Sequence, residues 1–166
     1  MNEGRPERIE NIEIDQVQAI ENFCQQRDAQ SEREKLTSVR IFLRTVLRNA
    51  IAPGVRIPPE VESRIWDQET IKKLSQVFTD RYGVCVEWHV VGQVILKRIG
   101  IEAIFRTGVI PGAPGHTYLD VKIDGQWEIF DPFAEKYLED IGHQGQKQFQ
   151  EEYYRDSLTR KPTAQS

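Results

Sequence analysis

The run CVEWHVVGQVILKRI (85–99) constrains this chain more than any other part of it. Trp88, Val91, Ile95 and Ile99 recur at helical spacing, and Val94 and Leu96 carry the apolar surface beyond one side. A helix so widely apolar needs neighbours on several sides, so it belongs in the interior. Gly83 breaks the pattern just before it, and Gly100 supplies a stop signal just after it. The rest of the fold has to wrap around this helix.

The pattern then changes period. Residues 101–110, IEAIFRTGVI, are β-branched and partly alternating, and read as a strand. After the turn-rich PGAPG (111–115), residues 116–123 alternate, with Thr117, Leu119, Val121 and Ile123 on one face. Asp124-Gly125 is a hairpin signal, and QWEIF (126–130) is the returning strand, ending at Asp131-Pro132. Upstream, helical spacing predicts helices over 13–29, 36–50 and 69–81. The segment 52–62 holds three prolines and a glycine and reads as a loop. A short helix is expected around 146–156, with Tyr153 and Tyr154 on its partly buried edge, and the last residues have the composition of a disordered tail. One α+β domain is therefore expected over 36–140. Residues 1–35 would form a helical segment packing on or extending it, and 141–166 a short helix and tail.

Composition excludes some roles. The net charge of −4 gives no basic surface of the kind that nucleic acid or an anionic membrane favours. No apolar run approaches the roughly 20 residues of a membrane helix. The opening MNEGRPERIENIEID lacks a basic region followed by an apolar stretch, so the expected location is the cytoplasm. Two cysteines without a secretion signal read as free thiols. Cys24 lies on an apolar stripe with Val17 and Ile20 and reads as a small buried residue. Arg40, Arg44 and Arg48 share a helix face. They read as a solvated row paired with glutamates of the first helix, or as a surface for a partner. The tryptophans Trp66, Trp88 and Trp127 read as core.

Cys85 is the residue with chemical promise. It stands where a turn enters a helix, and there unpaired N–H groups and the helix dipole favour a thiolate. A buried structural cysteine is the plain alternative. A nucleophilic thiol needs an imidazole, and the imidazole needs an orienting acceptor. His116 begins a strand after a Gly/Pro loop, and Asp131 ends the next strand. The tight turn at Asp124-Gly125 folds the hairpin so that 131 returns close to 116, which makes a His116–Asp131 hydrogen bond reasonable. A metal site from Cys85, His89 and His116 competes with this reading but lacks an evident fourth ligand, so no metal or other cofactor is expected. No acidic loop of the calcium-binding kind is present.

The order YGVC, an apolar helix ending LKRIGIEA, GHTYLDV, a turn, then QWEIFDP resembles the transglutaminase-like branch of the papain-like thiol enzymes. Cys85, Gly100-Ile101, Ala103, His116, Trp127 and Asp131-Pro132 each fall on a family position, over about residues 69–133. The resemblance implies a papain-like fold, a buried helix carrying Cys85 packed on a small antiparallel sheet carrying His116 and Asp131. It also implies Cys85 as nucleophile, His116 as general base and acid, and Asp131 as the group fixing the imidazole. The oxyanion hole would combine the Cys85 N–H with an upstream side chain, for which Gln76 and Tyr82 are candidates. Trp88, Gly115 and Thr117 are candidate substrate contacts. Val86-Glu87-Trp88 after the cysteine and Thr117-Tyr118 after the histidine depart from the family pattern, which bears on substrate class. Glu87 would oppose a thiolate if close to the sulfur, or support the helix from its first turn. The implied activity is cysteine-dependent acyl transfer at an amide of a protein or peptide through a thioester. Hydrolysis (protease, amidase or deamidase) leads, with transglutaminase-type amine transfer or a non-catalytic binding module as alternatives.

Overall fold

The computed structural model describes residues 7–67, 69–108, 115–142 and 154. In chain order the elements are α1 (Glu7–Glu10), β1 (Ile12–Glu13), α2 (Gln18–Gln25), α3 (Glu32–Val46), β2 (Arg48–Asn49), α4 (Pro59–Trp66) and β3 (Lys72–Lys73). There follow α5 (Leu74–Asp80), β4 (Tyr82–Gly83), α6 (Cys85–Arg98), β5 (Ala103–Gly108), β6 (His116–Ile123), β7 (Gln126–Phe130) and α7 (Pro132–Asp140). The expected helix around 146–156 lies outside the described residues, apart from Tyr154.

The central helix is α6. Trp88, Val91, Ile95 and Leu96 on it are fully buried. At Gly92 the neighbours close in from three elements: a Cβ there would lie 3.4 Å from Leu43, 3.6 Å from Leu119 and 3.7 Å from Phe130. The helix thus packs against α3, β6 and β7 at one point. It ends in a Schellman turn, with Ile101 N–H donating to the Leu96 carbonyl at 2.8 Å and Gly100 N–H to that of Lys97 at 3.2 Å. Gly100 has φ +86°, which a glycine adopts without steric cost.

The main sheet has the order β5-β6-β7 and is antiparallel throughout. Its second hairpin turns at Asp124 and Gly125, both with positive φ, as a two-residue turn of primed type requires. Leu119 pairs with Phe130, so Tyr118 and Asp131 lie one step further along the ladder. Gly108 pairs with His116. Thr117, Leu119, Val121 and Ile123 are buried as the alternation suggested, but His116, Tyr118 and Asp120 on the other side are buried too.

Several elements differ from the sequence reading. The helix expected over 13–29 is only α2, because residues 12–13 pair in parallel with 72–73 and Asp15 accepts from Ser75 N–H at 2.9 Å. The same pairing shortens the helix expected over 69–81. The loop expected over 52–62 ends early because Pro59 takes the first helical position of α4, where its missing N–H costs nothing. Helix α3 starts before residue 36, on a capping box in which Ser31 Oγ accepts from Glu34 N–H and Glu34 accepts from Ser31 N–H. Helix α7 had not been foreseen. Of the three tryptophans expected inside, Trp88 is fully buried, Trp127 is partly buried, and Trp66 is half exposed at the end of α4.

The helix expected over 36–50 ends at Val46, so Arg48 falls on β2, and only Arg40 and Arg44 of the expected row form a strut between helices. Arg40 pairs with Glu135 at 3.0 Å and Arg44 with Glu139 at 2.7 Å, so their partners come from α7 and not from the first helix. Arg48 lies over the Tyr82 ring at 5.9 Å. One hydrophobic cluster runs from Ile12 to Phe133 and includes Val17, Ile20 and Phe23. No helix among the described residues is long and apolar enough to cross a membrane.

Candidate active site

Two short pairings aim the start of α6. Strand β4 lies beside β2, with Arg48 N–H on the Arg81 carbonyl at 2.6 Å and Ala50 N–H on that of Gly83 at 3.0 Å. Then Glu87 folds back along the helix it belongs to. Its Oε1 accepts from Val84 N–H at 2.8 Å and its Oε2 meets Lys72 Nζ at 3.3 Å. The Glu87 carboxyl is thus buried as a back-cap and a salt-bridge partner, which answers the question the sequence left open about it. Gly83 makes room for this: a Cβ on it would sit 2.5 Å from Glu87 Cβ.

Cys85 is the first residue of α6, half-buried and free of any disulfide. Its backbone N–H belongs to the first turn, where the helix ladder offers no partner. The Cys85 thiol lies close enough to His116 to act on the protonation of its ring. His116 Nε2 is engaged with Asp131 Oδ2. Both His116 and Asp131 are buried. The structure therefore brings Cys85, His116 and Asp131 together in the order thiol, imidazole, carboxylate.

Asp131 has more partners than the sequence suggested. Its Oδ1 accepts from Ala134 N–H at 3.0 Å, capping α7. The same oxygen lies 3.2 Å from His89 Nε2. Its Oδ2 also accepts from the Tyr154 hydroxyl at 2.6 Å. Tyr154 stands edge-on to Tyr118 with ring centroids 4.9 Å apart, and His116 stacks on Tyr118 at 5.8 Å.

These contacts set the charges. Burial opposes a proton on His116. Against it act the Asp131 charge, the Asp131 hydrogen bond and the contact with Cys85, and the imidazole is raised to about 10. Burial pushes the Asp131 carboxyl up, but the charges and contacts of His116 and His89 outweigh it and hold the carboxyl well below its usual range. Burial and the Asp131 charge push the Tyr154 phenol up, so Tyr154 remains a donor. Near neutral pH the centre therefore holds an imidazolium clamped to a carboxylate, with the sulfur against the ring.

The remaining candidates fall elsewhere. The Gln76 amide donates to Asp80 Oδ1 at 2.8 Å, and Arg64 holds the same carboxylate. Tyr82 lies on β4, half-buried beneath Arg48. Trp88 is fully buried, with its indole N–H toward the Arg48 carbonyl and its ring edge-on to Phe133 at 5.7 Å, so it offers the core and not a cleft. Thr117 is buried opposite Thr107, and Gly115 is half-buried at the entrance to β6. The turn-rich segment before His116 lies outside the described residues from 109 to 114. Cys24 is half-buried at the end of α2, and burial pushes its thiol up. His89, weighed from the sequence only as a metal ligand, and Tyr154, read only as a helix edge, both meet Asp131. The spacing of His89, one helical turn after Cys85, was a usable signal, whereas Tyr154 had none.

The chain matches the Transglutaminase-like superfamily over residues 25–132, more than half of its length. Among solved structures it is similar to a candidate cysteine protease from Cytophaga hutchinsonii, at 20% identity and a TM-score of 0.42, over 61% of this chain and 31% of that one. It is also similar to a TGase, at 15% identity and a TM-score of 0.48, over 69% of this chain and 30% of the other. The chain spans about a third of the length of these two structures. A comparison with curated proteins finds no match. With Cys85 heading its central helix, the chain belongs to the transglutaminase-like superfamily, whose members are typically cysteine enzymes.

Proposed function

We propose that this protein is a cysteine hydrolase that cleaves an amide of a protein or peptide through a thioester on Cys85. The observation that carries the proposal is the His116 ring held between the Cys85 thiol and the Asp131 carboxylate. In the first half-reaction the sulfur attacks the amide carbonyl and forms the S–C bond. The Cys85 N–H, at the positive end of α6, supports the developing oxyanion. His116, protonated near neutral pH, passes its proton to the leaving nitrogen as the C–N bond breaks. In the second half-reaction water attacks the thioester, its proton goes to His116, the C–S bond breaks, and the acid leaves with the sulfur and the protonated ring as they began. Asp131 fixes the ring and stabilises its charge throughout. Water is the leading acceptor because it needs no site of its own, and a primary amine in its place gives the transglutaminase reaction.

The test uses p-nitrophenyl acetate as an acyl donor and intact-mass spectrometry. One acetyl group should appear on Cys85 and discharge with time, and Cys85→Ala should carry none while remaining folded. Adding a primary amine should speed discharge only if amine transfer is the true second step. Acetylation that Cys85→Ala leaves unchanged would exclude the proposal.

A further inference from the structure

His89 is fully buried one turn into α6, and neither of its ring nitrogens faces solvent. Its Nδ1 lies 2.7 Å from the Cys85 carbonyl oxygen. A carbonyl only accepts, so Nδ1 carries the hydrogen. Its Nε2 lies 3.2 Å from Asp131 Oδ1, out of line for a hydrogen bond, and has no hydrogen-bond partner among the described residues. The ring stands edge-on to His116, with centroids 6.3 Å apart and planes at 85°. Asp131 thus sits between two imidazoles, one on each carboxylate oxygen.

A buried imidazole that only filled space would be a poor choice, since an apolar side chain does that without desolvation cost. We propose that His89 is a positioning residue, one that locks the first turn of α6 to Asp131 and so fixes the Cys85 sulfur relative to His116. The inference rests on the reading of Cys85, His116 and Asp131 as a thiol site. Two links are involved. The Nδ1–H holds the backbone of the nucleophile. The Nε2 contact bears on the oxygen of Asp131 that His116 does not use, and so on how that carboxylate is aimed.

Three substitutions in the full chain separate these links. His89→Asn keeps a donor near the Nδ1 position and gives up the atom facing Asp131. His89→Gln keeps one near the Nε2 position and gives up the Cys85 carbonyl. His89→Leu keeps bulk and gives up both. Two readouts are needed: the rate of Cys85 labelling by iodoacetamide, and the NMR resonance of the His116 ring N–H that meets Asp131. His89→Leu should slow labelling by about tenfold or more, the scale of loss that sub-ångström misplacement brings. Asn and Gln should each recover part of it. The His116 resonance should move in the Asn and Leu variants and hold its position in Gln. Equal labelling rates in all variants together with an unmoved resonance would overturn the inference and leave His89 as core filling. If His89→Leu fails to fold, the Asn and Gln pair still decides by the resonance. If wild-type Cys85 labels no faster than Cys24, the thiol-site reading fails, and the resonance still reports on His89 separately.

Discussion

Replacing Gly83 with alanine puts a methyl group 2.5 Å from Glu87 Cβ, 3.1 Å from its Cγ and 3.4 Å from its Oε1. A Cβ position is set by the backbone, so no rotamer of Glu87 relieves the clash. The gap must open from 2.5 Å to at least the 3.4 Å of ordinary contact, by moving β4 or the first turn of α6. Either movement pulls Glu87 off the Val84 N–H, a buried hydrogen bond of 2.8 Å. Overpacking costs about 1–3 kcal/mol, and a lost hydrogen bond to a charged group about 1.5–3 kcal/mol. Because one movement causes both losses they overlap, and about 3 kcal/mol is expected in total. For a domain of this size that lowers Tm by about 6–12 °C. The second consequence is chemical, because Cys85 lies two residues from Gly83 and moves with that turn. A displacement approaching 1 Å slows its reaction up to about 100-fold. Thermal denaturation followed by circular dichroism reads the first effect, and iodoacetamide labelling of Cys85 reads the second. Glu87→Ala should not rescue, since it keeps the Cβ. A Gly83→Ala protein that melts within about 2 °C of wild type, against the 2–4 °C that even 1 kcal/mol would shift it, would refute the reasoning.

Other consequences follow from the same geometry. Gly100→Ala meets no atom within 4 Å but must hold φ +86°, so it should cost about 1–2 kcal/mol in denaturant titration and leave Cys85 labelling unchanged. Tyr154→Phe removes the hydroxyl that donates to Asp131 Oδ2. Asp131 keeps its other partners, so the loss should fall at the low end for a charged acceptor, about 1.5 kcal/mol by thermal melting. Histidine in an unfolded chain loses its proton near 6.5, and His116 in the fold near 10. The stability it contributes is therefore fully present below pH 6.5 and is lost progressively as pH rises through 10. The lowered Asp131 works in the opposite sense: its contribution is present above 3.8 and is lost as pH falls through the folded value. The Tm difference between wild type and His116→Gln should accordingly shrink between pH 6.5 and 10.

What the sequence made legible was what its neighbours in the chain decide. Gly83 and Gly100 bracket α6 because each is needed where it stands, one for space and one for a left-handed backbone. Asp124-Gly125 set the hairpin register that returns Asp131 to His116. Ser31 and Glu34 carried an equally local signal, overshadowed by the apolar stripe that begins at Leu36. Asp131-Pro132 was read as the end of a strand, although an aspartate before a proline also opens helices, and here it does both. The two-residue pairings at 12–13 with 72–73 and 48–49 with 82–83 were not legible. They join distant segments and have no room for a period of their own. Glu135 and Glu139 became the partners of Arg40 and Arg44 only because α7 packs beside α3. Tyr154 reaches Asp131 across 23 residues on the same terms.

The central claim is that Cys85 is activated by its neighbours and Cys24 is not. Iodoacetamide labelling at neutral pH, resolved by peptide mass spectrometry, measures both thiols in one sample. Burial pushes the Cys24 thiol up and slows it, while His116 stands against the sulfur of Cys85. The expected result is Cys85 labelling faster by about tenfold or more, with the advantage lost in His116→Ala. Equal, slow labelling of both cysteines would contradict the account.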